Sequence, residues 1–168
     1  MLEVVEAQRR LIALRRPLDH LELPLADAVG RYLAADVLAR RNSPAANLSA
    51  MDGYAVRFSD LPGPLEFIGE SAAGSPFSGH VGPGQCTRIF TGAHLPEGAD
   101  TILIQEEARH SETSVLMTGE GPPGIGSHIR KMGGDFSQGD ILLRSGEHLH
   151  AGAIALAAMA NHGTLTVR

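Results

Sequence analysis

The groups best placed to do chemistry in this chain are carboxylates that stand beside turns. In Ser49-Ala50-Met51-Asp52-Gly53-Tyr54-Ala55-Val56, an acid, a glycine and a tyrosine sit between small apolar residues. Asp52-Gly53 tolerates a sharp backbone turn, and Tyr54-Ala55-Val56 then alternates as a half-buried strand does. The pattern therefore sets an acid at the mouth of a strand, although an Asp-Gly turn opening a strand is also common where there is no function. Glu106 and Asp135 likewise stand next to a turn or a strand end. Magnesium prefers a few carboxylates together with phosphate oxygens and water. Asp52, Glu106 and Asp135 are thus the candidate metal ligands, and spacing alone does not show that they converge. Arg130-Lys131, followed by the glycine pair Gly133-Gly134, is the candidate contact for a phosphorylated small molecule; the competing reading is a solvated pair at a strand end.

Other chemistries have weaker support. His148-Leu149-His150 puts two imidazoles on one face of a strand, yet the remaining histidines show no ligand spacing, which argues against zinc. Cys86 is the only cysteine, so no disulfide can form within the chain. Its setting in Cys86-Thr87-Arg88-Ile89-Phe90 reads as a packed thiol in a strand, not as a nucleophile. The stretch Gly119-Glu120-Gly121-Pro122-Pro123-Gly124-Ile125-Gly126 is no phosphate loop, because its prolines remove amide donors and no Lys-Ser/Thr follows. It reads as a hairpin or crossover loop.

The elements that must position these groups fall into three blocks. Of the 168 residues, 43% are apolar, enough for a real core in one or two domains. Residues 2–14 read as an amphipathic helix, with Val4 and Val5 matched two turns later by Leu11 and Ile12, and Pro17 stops it. Leu21-Glu22-Leu23 is a short strand, residues 26–35 a second helix despite Gly30, residues 36–39 extended chain, and 40–48 a linker. From Ser49 to about Lys131 the pattern becomes short β-runs punctuated by glycine and proline, with strands at 54–57, 66–68, 85–90, 101–105, 114–118 and 127–130. A strand at 141–143, an alanine-rich helix at 151–160 stopped by Asn161-His162-Gly163, and a strand at 164–167 complete the chain. The predicted fold class is α+β. A discontinuous mixed α/β domain, residues 1–46 with 136–168, carries an inserted small β-rich domain, residues 47–135.

Charge and hydropathy bound the partners. The net charge is −5, and the basic residues are scattered as pairs (Arg9-Arg10, Arg15-Arg16, Arg40-Arg41), so a nucleic acid would find no continuous basic stripe. No apolar run approaches the roughly 18 residues that span a bilayer. The start of the chain carries acids where a secretory signal needs a basic stretch. A cytoplasmic protein without membrane anchorage is expected.

Four segments, kept in order, resemble one family. Ser49-Ala50-Met51-Asp52-Gly53-Tyr54-Ala55 is followed by Arg88-Ile89-Phe90-Thr91-Gly92-Ala93. Next come Leu95-Pro96-Glu97-Gly98-Ala99-Asp100 with Gln105-Glu106, and then Ile129-Arg130-Lys131 with Gly134-Asp135. Together they resemble the MoeA/gephyrin family of molybdenum insertases, and the likeness covers nearly the whole chain. The resemblance implies the same two-domain layout. It also implies that this is the N-terminal portion of a longer protein, lacking the family's pterin-binding α/β domain and C-terminal β-domain.

The resemblance further implies an enzyme of molybdenum cofactor biosynthesis. Such enzymes take adenylylated molybdopterin and molybdate, use a divalent cation such as magnesium, and release AMP. Their site lies in a homodimer, between the pterin-binding domain of one subunit and the β-domain of the other. Carried over, Asp52, Thr91 and Asp135 match positions facing that cleft, and Glu106 is a weaker match. Asp52 and Asp135 would hold magnesium or position water near the phosphoanhydride. Thr91 and Gly92 would donate to a phosphate or molybdate oxygen, beside Arg130 and Lys131. Two departures stand out: Ala46-Asn47-Leu48 where the family has Phe-Asp-Asn, and Gly133-Gly134 where it often has Gly-Glu. Each removes a carboxylate from the neighbourhood of the site. A non-catalytic dimerisation or scaffold module is the alternative of a different class.

Overall fold

A computed structural model describes residues 2–14, 16 and 18–168. In chain order the elements are helix α1 (Val4–Ala13), strands β1 (Leu21–Pro24), β2 (Val37–Leu38), β3 (Leu48–Ser49), β4 (Gly53–Val56), β5 (Leu65–Ser71), β6 (Gln85–Ile89), β7 (Thr101–Ile104), β8 (Ala108–His110), β9 (Ser114–Met117), β10 (Ile129–Arg130) and β11 (Ile141–Leu143), helix α2 (Ala151–Met159) and strand β12 (Thr164–Val167). This is the expected α+β class. The chain divides into two compact units, Met1–Arg40 with Gly139–Arg168, and Arg41–Gln138. The junctions between these units fall at 40/41 and 138/139. The reason is local: Ser43 N–H donates to the Phe136 carbonyl at 2.9 Å, Asp135 N–H to the Ser43 carbonyl at 2.8 Å, and Gln138 N–H to Asn42 Oδ1 at 2.8 Å. These bonds staple the two connecting strands of chain to each other inside the β-rich unit.

In the first unit β1 pairs antiparallel with β12, and β2 with β11. Leu33, Val37, Leu149, Ala153, Ala157, Leu165 and Val167 close its core. His150 caps α2, its Nδ1 accepting from Gly152 N–H at 3.1 Å and Ala153 N–H at 3.3 Å, and His148 packs edge-on against Tyr32 at 5.2 Å. At the other end of α2, Asn161 adopts φ +71° and the chain turns away, as the stop signal predicts.

The helix expected at 26–35 does not form; only a single 3₁₀ turn at Leu25–Asp27 is present. Gly30 turns left-handed at φ +80°, and the following backbone is taken by neighbours. Leu33 N–H donates to the Glu147 carbonyl at 2.9 Å and Ala34 N–H to the Thr166 carbonyl at 2.9 Å. Strand-like pairing here outcompetes helix propensity, which is a weak determinant. Pro17, expected to stop α1, lies outside the described residues, and α1 ends at Ala13.

The second unit is built on a six-stranded sheet in the order β7-β4-β6-β5-β9-β8. All its pairings are antiparallel except β5 with β6. Alternation along β4 and β6 separates two small cores. Tyr54, Val56, Cys86 and Leu103 gather with Leu65 and Val115 on one face; Ala55, Ile89, Ala93 and Ile102 gather on the other. Cys86 is fully buried, and burial pushes its thiol up to about 12, which suits packing and not nucleophilic attack. Separately, β3 pairs with β10, setting Ser49 opposite Ile129 and Leu48 opposite Arg130.

Candidate functional site

Asp52 enters its turn from β3, and the turn leads straight into the interior strand β4. Glycine is required at the next position. A Cβ on Gly53 would be driven into the Leu103 carbonyl oxygen and the Ile104 Cα of β7, which lies directly opposite. The turn is fixed on its other side by Ser49, which is buried and donates its Oγ–H to the Met51 carbonyl at 2.6 Å. The acid therefore projects from a braced corner.

Its partner comes from the turn after β6. Ala93 N–H donates to the Phe90 carbonyl at 2.9 Å, closing Phe90-Thr91-Gly92-Ala93, and Gly92 takes the left-handed φ of +82° that the third position of such a turn needs. Thr91 is then held against Asp52. Its N–H and its Oγ–H both donate to Asp52 Oδ1, each at 2.8 Å. These two bonds, backbone first, hold the Asp52 carboxyl below its ordinary range; partial burial opposes them, and the Arg88 cation adds to them. Asp52 is thus ionised at neutral pH, with Oδ2 left to meet a ligand.

The donors expected to serve an oxyanion are engaged inside the site. Both Thr91 donors go to Asp52, and Gly92 N–H goes to the Ser49 carbonyl at 2.8 Å. Arg130 and Asp135 come together in a second cluster. One Arg130 nitrogen lies 3.2 Å from each Asp135 oxygen, and Ser43 Oγ–H donates to Oδ2 at 3.0 Å. The charges of Arg130 and Asp135 therefore offset each other. Lys131 lines a different hollow, with Asn47, Asp100 and Met132, where Asn47 Oδ1 accepts from Met132 N–H at 2.8 Å. Glu106 lies on the rim of a third hollow and takes a hydrogen bond from Gln105 Nε2 at 3.1 Å. Among the described residues no three His, Cys, Asp or Glu side chains group as a metal cage would.

Sequence reasoning passed over Arg88, whose guanidinium lies 5.2 Å from the Tyr54 ring centre and 5.0 Å from that of Phe90. A signal was present, since the strand predicted at 85–90 sets Arg88 and Phe90 two apart and so on one face. Ser43 gave no signal, because its partner, Asp135, lies 92 residues away in sequence.

Fold and site together define a discontinuous α+β module, in which an inserted β unit presents an ionised, threonine-held aspartate at a turn. The family is that of the MoeA N-terminal region, domains I and II. Its model matches residues 2–161, and the chain belongs to it. The chain is 38% identical to the molybdopterin molybdenumtransferase of Haemophilus influenzae over 138 residues, which is 81% of this chain and 34% of that protein. It is 32% identical to the Bacillus subtilis molybdopterin molybdenumtransferase over 173 residues, 98% of this chain and 40% of that protein. Two crystal structures of molybdopterin biosynthesis MoeA proteins from Pyrococcus horikoshii match with TM-scores of 0.88 and 0.81 at 26% and 28% identity. They cover 99% and 89% of this chain, which in turn covers 44% and 41% of theirs. The chain thus spans less than half the length of the relatives it matches.

Proposed function

We propose that this chain is the substrate-facing N-terminal region of a molybdenum insertase, which transfers molybdate to adenylylated molybdopterin with release of AMP. The observation that carries the reading is Asp52, its charged form favoured by two bonds from Thr91 and its second oxygen presented from a rigid corner. A general base works best with a pKa near the working pH. A carboxyl held below its usual range is a poor base and a good anchor for a cation or a water hydrogen. We assign Asp52 that anchoring role, at the phosphoanhydride of the substrate.

Magnesium fits this donor set in a limited way. Asp52 offers one open oxygen, and magnesium accepts one or two carboxylates if substrate phosphates and water complete its shell. When bound, the ion would neutralise phosphate charge during AMP release. Asp135 does not fit as a ligand while Arg130 and Ser43 hold it; we assign it, with Arg130, to keeping the chain around 130–135 in place. Thr91 orients Asp52 and keeps it charged. Lys131, whose side chain has no such ion pair among the described residues, is the better phosphate contact of the two basic residues. The homodimer, the pterin-binding domain of the partner subunit and a cytoplasmic setting belong to the same proposal.

The test uses the full-length protein. Asp52→Ala is expected to reduce molybdate-dependent AMP release by at least a hundredfold, with the thermal midpoint within a few degrees, since a half-buried acid at a turn adds little to packing. Full turnover by that variant would end the catalytic reading of Asp52 and leave the scaffold reading in its place.

A further inference from the structure

Helix α1 carries an apolar stripe that its own chain leaves open. Val4, Val5, Leu11 and Ile12 are between 66% and 76% exposed, and α1 buries no residue. Packing of an apolar face supplies most of the stability of a helix in a protein, and a helix of ten residues is marginal without it. The order of the residues in the stripe shows what surface would cover it. Val5 and Leu11 lie three residues to either side of Gln8, and Val4 and Ile12 four, so all five share one face with Gln8 at its middle. A stripe with that symmetry matches itself when turned end for end. Val4 then comes opposite the partner's Ile12, and Val5 opposite the partner's Leu11. Gln8 meets its own copy, and an amide both donates and accepts.

Charge selects the direction of pairing. Glu3 and Glu6 lie in the first half of this segment, and Arg9, Arg10 and Arg16 in the second. A parallel pair would set acids level with acids and bases level with bases, with the helix dipoles aligned. An antiparallel pair sets the acidic half of each helix against the basic half of the other and opposes the dipoles. We propose that α1 pairs antiparallel with α1 of a second copy of this chain, the two stripes closing on each other about Gln8. The contact of two ten-residue helices falls well below the roughly 1,200 Å² of a standard interface. The pair is therefore weak, with a Kd of about 0.1–1 mM, and the dilute chain is monomeric. The inference goes beyond the homodimer of the proposed function by naming a surface that needs neither the pterin-binding domain nor Asp52. Its test reads mass and not turnover, so either reading can fail alone.

The 168-residue chain is followed by sedimentation equilibrium from about 10 µM to about 1 mM, and its average mass is expected to rise toward that of a dimer at the upper end. Val5→Glu puts a charge in the middle of the apolar contact and should weaken the association at least tenfold. Val5 is exposed in the single chain, so an unchanged thermal midpoint of the dilute variant confirms that it folds. Direction is read by cross-linking. Chains carrying Val4→Cys are mixed with chains carrying Ile12→Cys at about 0.5 mM and mildly oxidised; the mixed disulfide should predominate over either self-linked dimer. Cys86 is fully buried and does not compete. A monomer at every concentration would leave the stripe to some other occupant and overturn the proposal. So would an undiminished dimer in Val5→Glu, which would place the contact elsewhere, or a preponderance of Val4→Cys chains linked to each other, which would mean a parallel pair.

Discussion

At Asp52 a single oxygen takes both donors of Thr91, and this makes the charge of the acid a contributor to stability with a defined sign. The folded pKa lies below the ordinary value of 3.8, so the contribution is present above that pH and is lost as the pH falls through the lowered folded value. Asp52→Asn keeps the shape and removes the charge. The gap in urea midpoint between wild type and Asp52→Asn is expected to be full near about pH 6 and to close below about pH 3.8. A gap that is constant with pH would mean that Thr91 does not hold a charged partner. The neighbouring glycine makes a simpler prediction. Gly53→Ala forces a Cβ onto the backbone of Leu103 and Ile104 in β7, and β4 is held between β7 and β6, so one of the two ladders must shift and a loss of about 1–3 kcal/mol is expected in urea denaturation. The acid, the glycine and the turn after β6 were legible in the sequence because turn chemistry is local. That the Thr91 donors are engaged by Asp52 was not legible, because it depends on two turns 39 residues apart meeting in space.

Among the elements, α1 is the one whose amphipathic pattern and surroundings disagree. Its apolar stripe, with Val5 at 76% and Ile12 at 72% exposure, buries no residue, and its regular features are a Glu6 pair with Arg9 and Arg10 and a matched turn at its end. A ten-residue helix held only by such pairs is marginal, and exposed pairs contribute little. Deleting residues 2–13 is therefore expected to leave the unfolding free energy of the remainder, from urea titration, within about 0.5 kcal/mol of wild type; a larger loss would show that α1 packs on its own chain. Elsewhere the short strands were readable from alternation, as in Gln85 to Ile89, because both faces of the sheet bury alternate residues. Strands β3 and β8 were not. The first has two residues in a turn-rich stretch, and in the second Arg109 and His110 are polar and exposed. The failed helix at 26–35 has the same cause in reverse: local propensity was helical, and pairing with the other end of the chain decided the outcome.

That dependence of one end on the other sets how the whole molecule can be divided. In the first unit Leu33 and Val37 come from the head of the chain, whereas Leu149, Ala153, Leu165 and Val167 come from the tail, and β1 finds its partner in β12. Neither segment closes a core alone. The second unit, Arg41–Gln138, is continuous, holds all six strands of the large sheet and carries both of its own cores. Residues 41–138 expressed alone are therefore expected to give a dispersed amide spectrum and cooperative unfolding. Residues 2–138 should give the same dispersed signals together with a narrow, unfolded set from the head, because removing the tail leaves the apolar groups of Leu33 and Val37 without partners. A collapsed spectrum for 41–138 would show that the β unit takes its stability from the first unit. A dispersed head in 2–138 would show that β1, β2 and the turn between them close a core without β12.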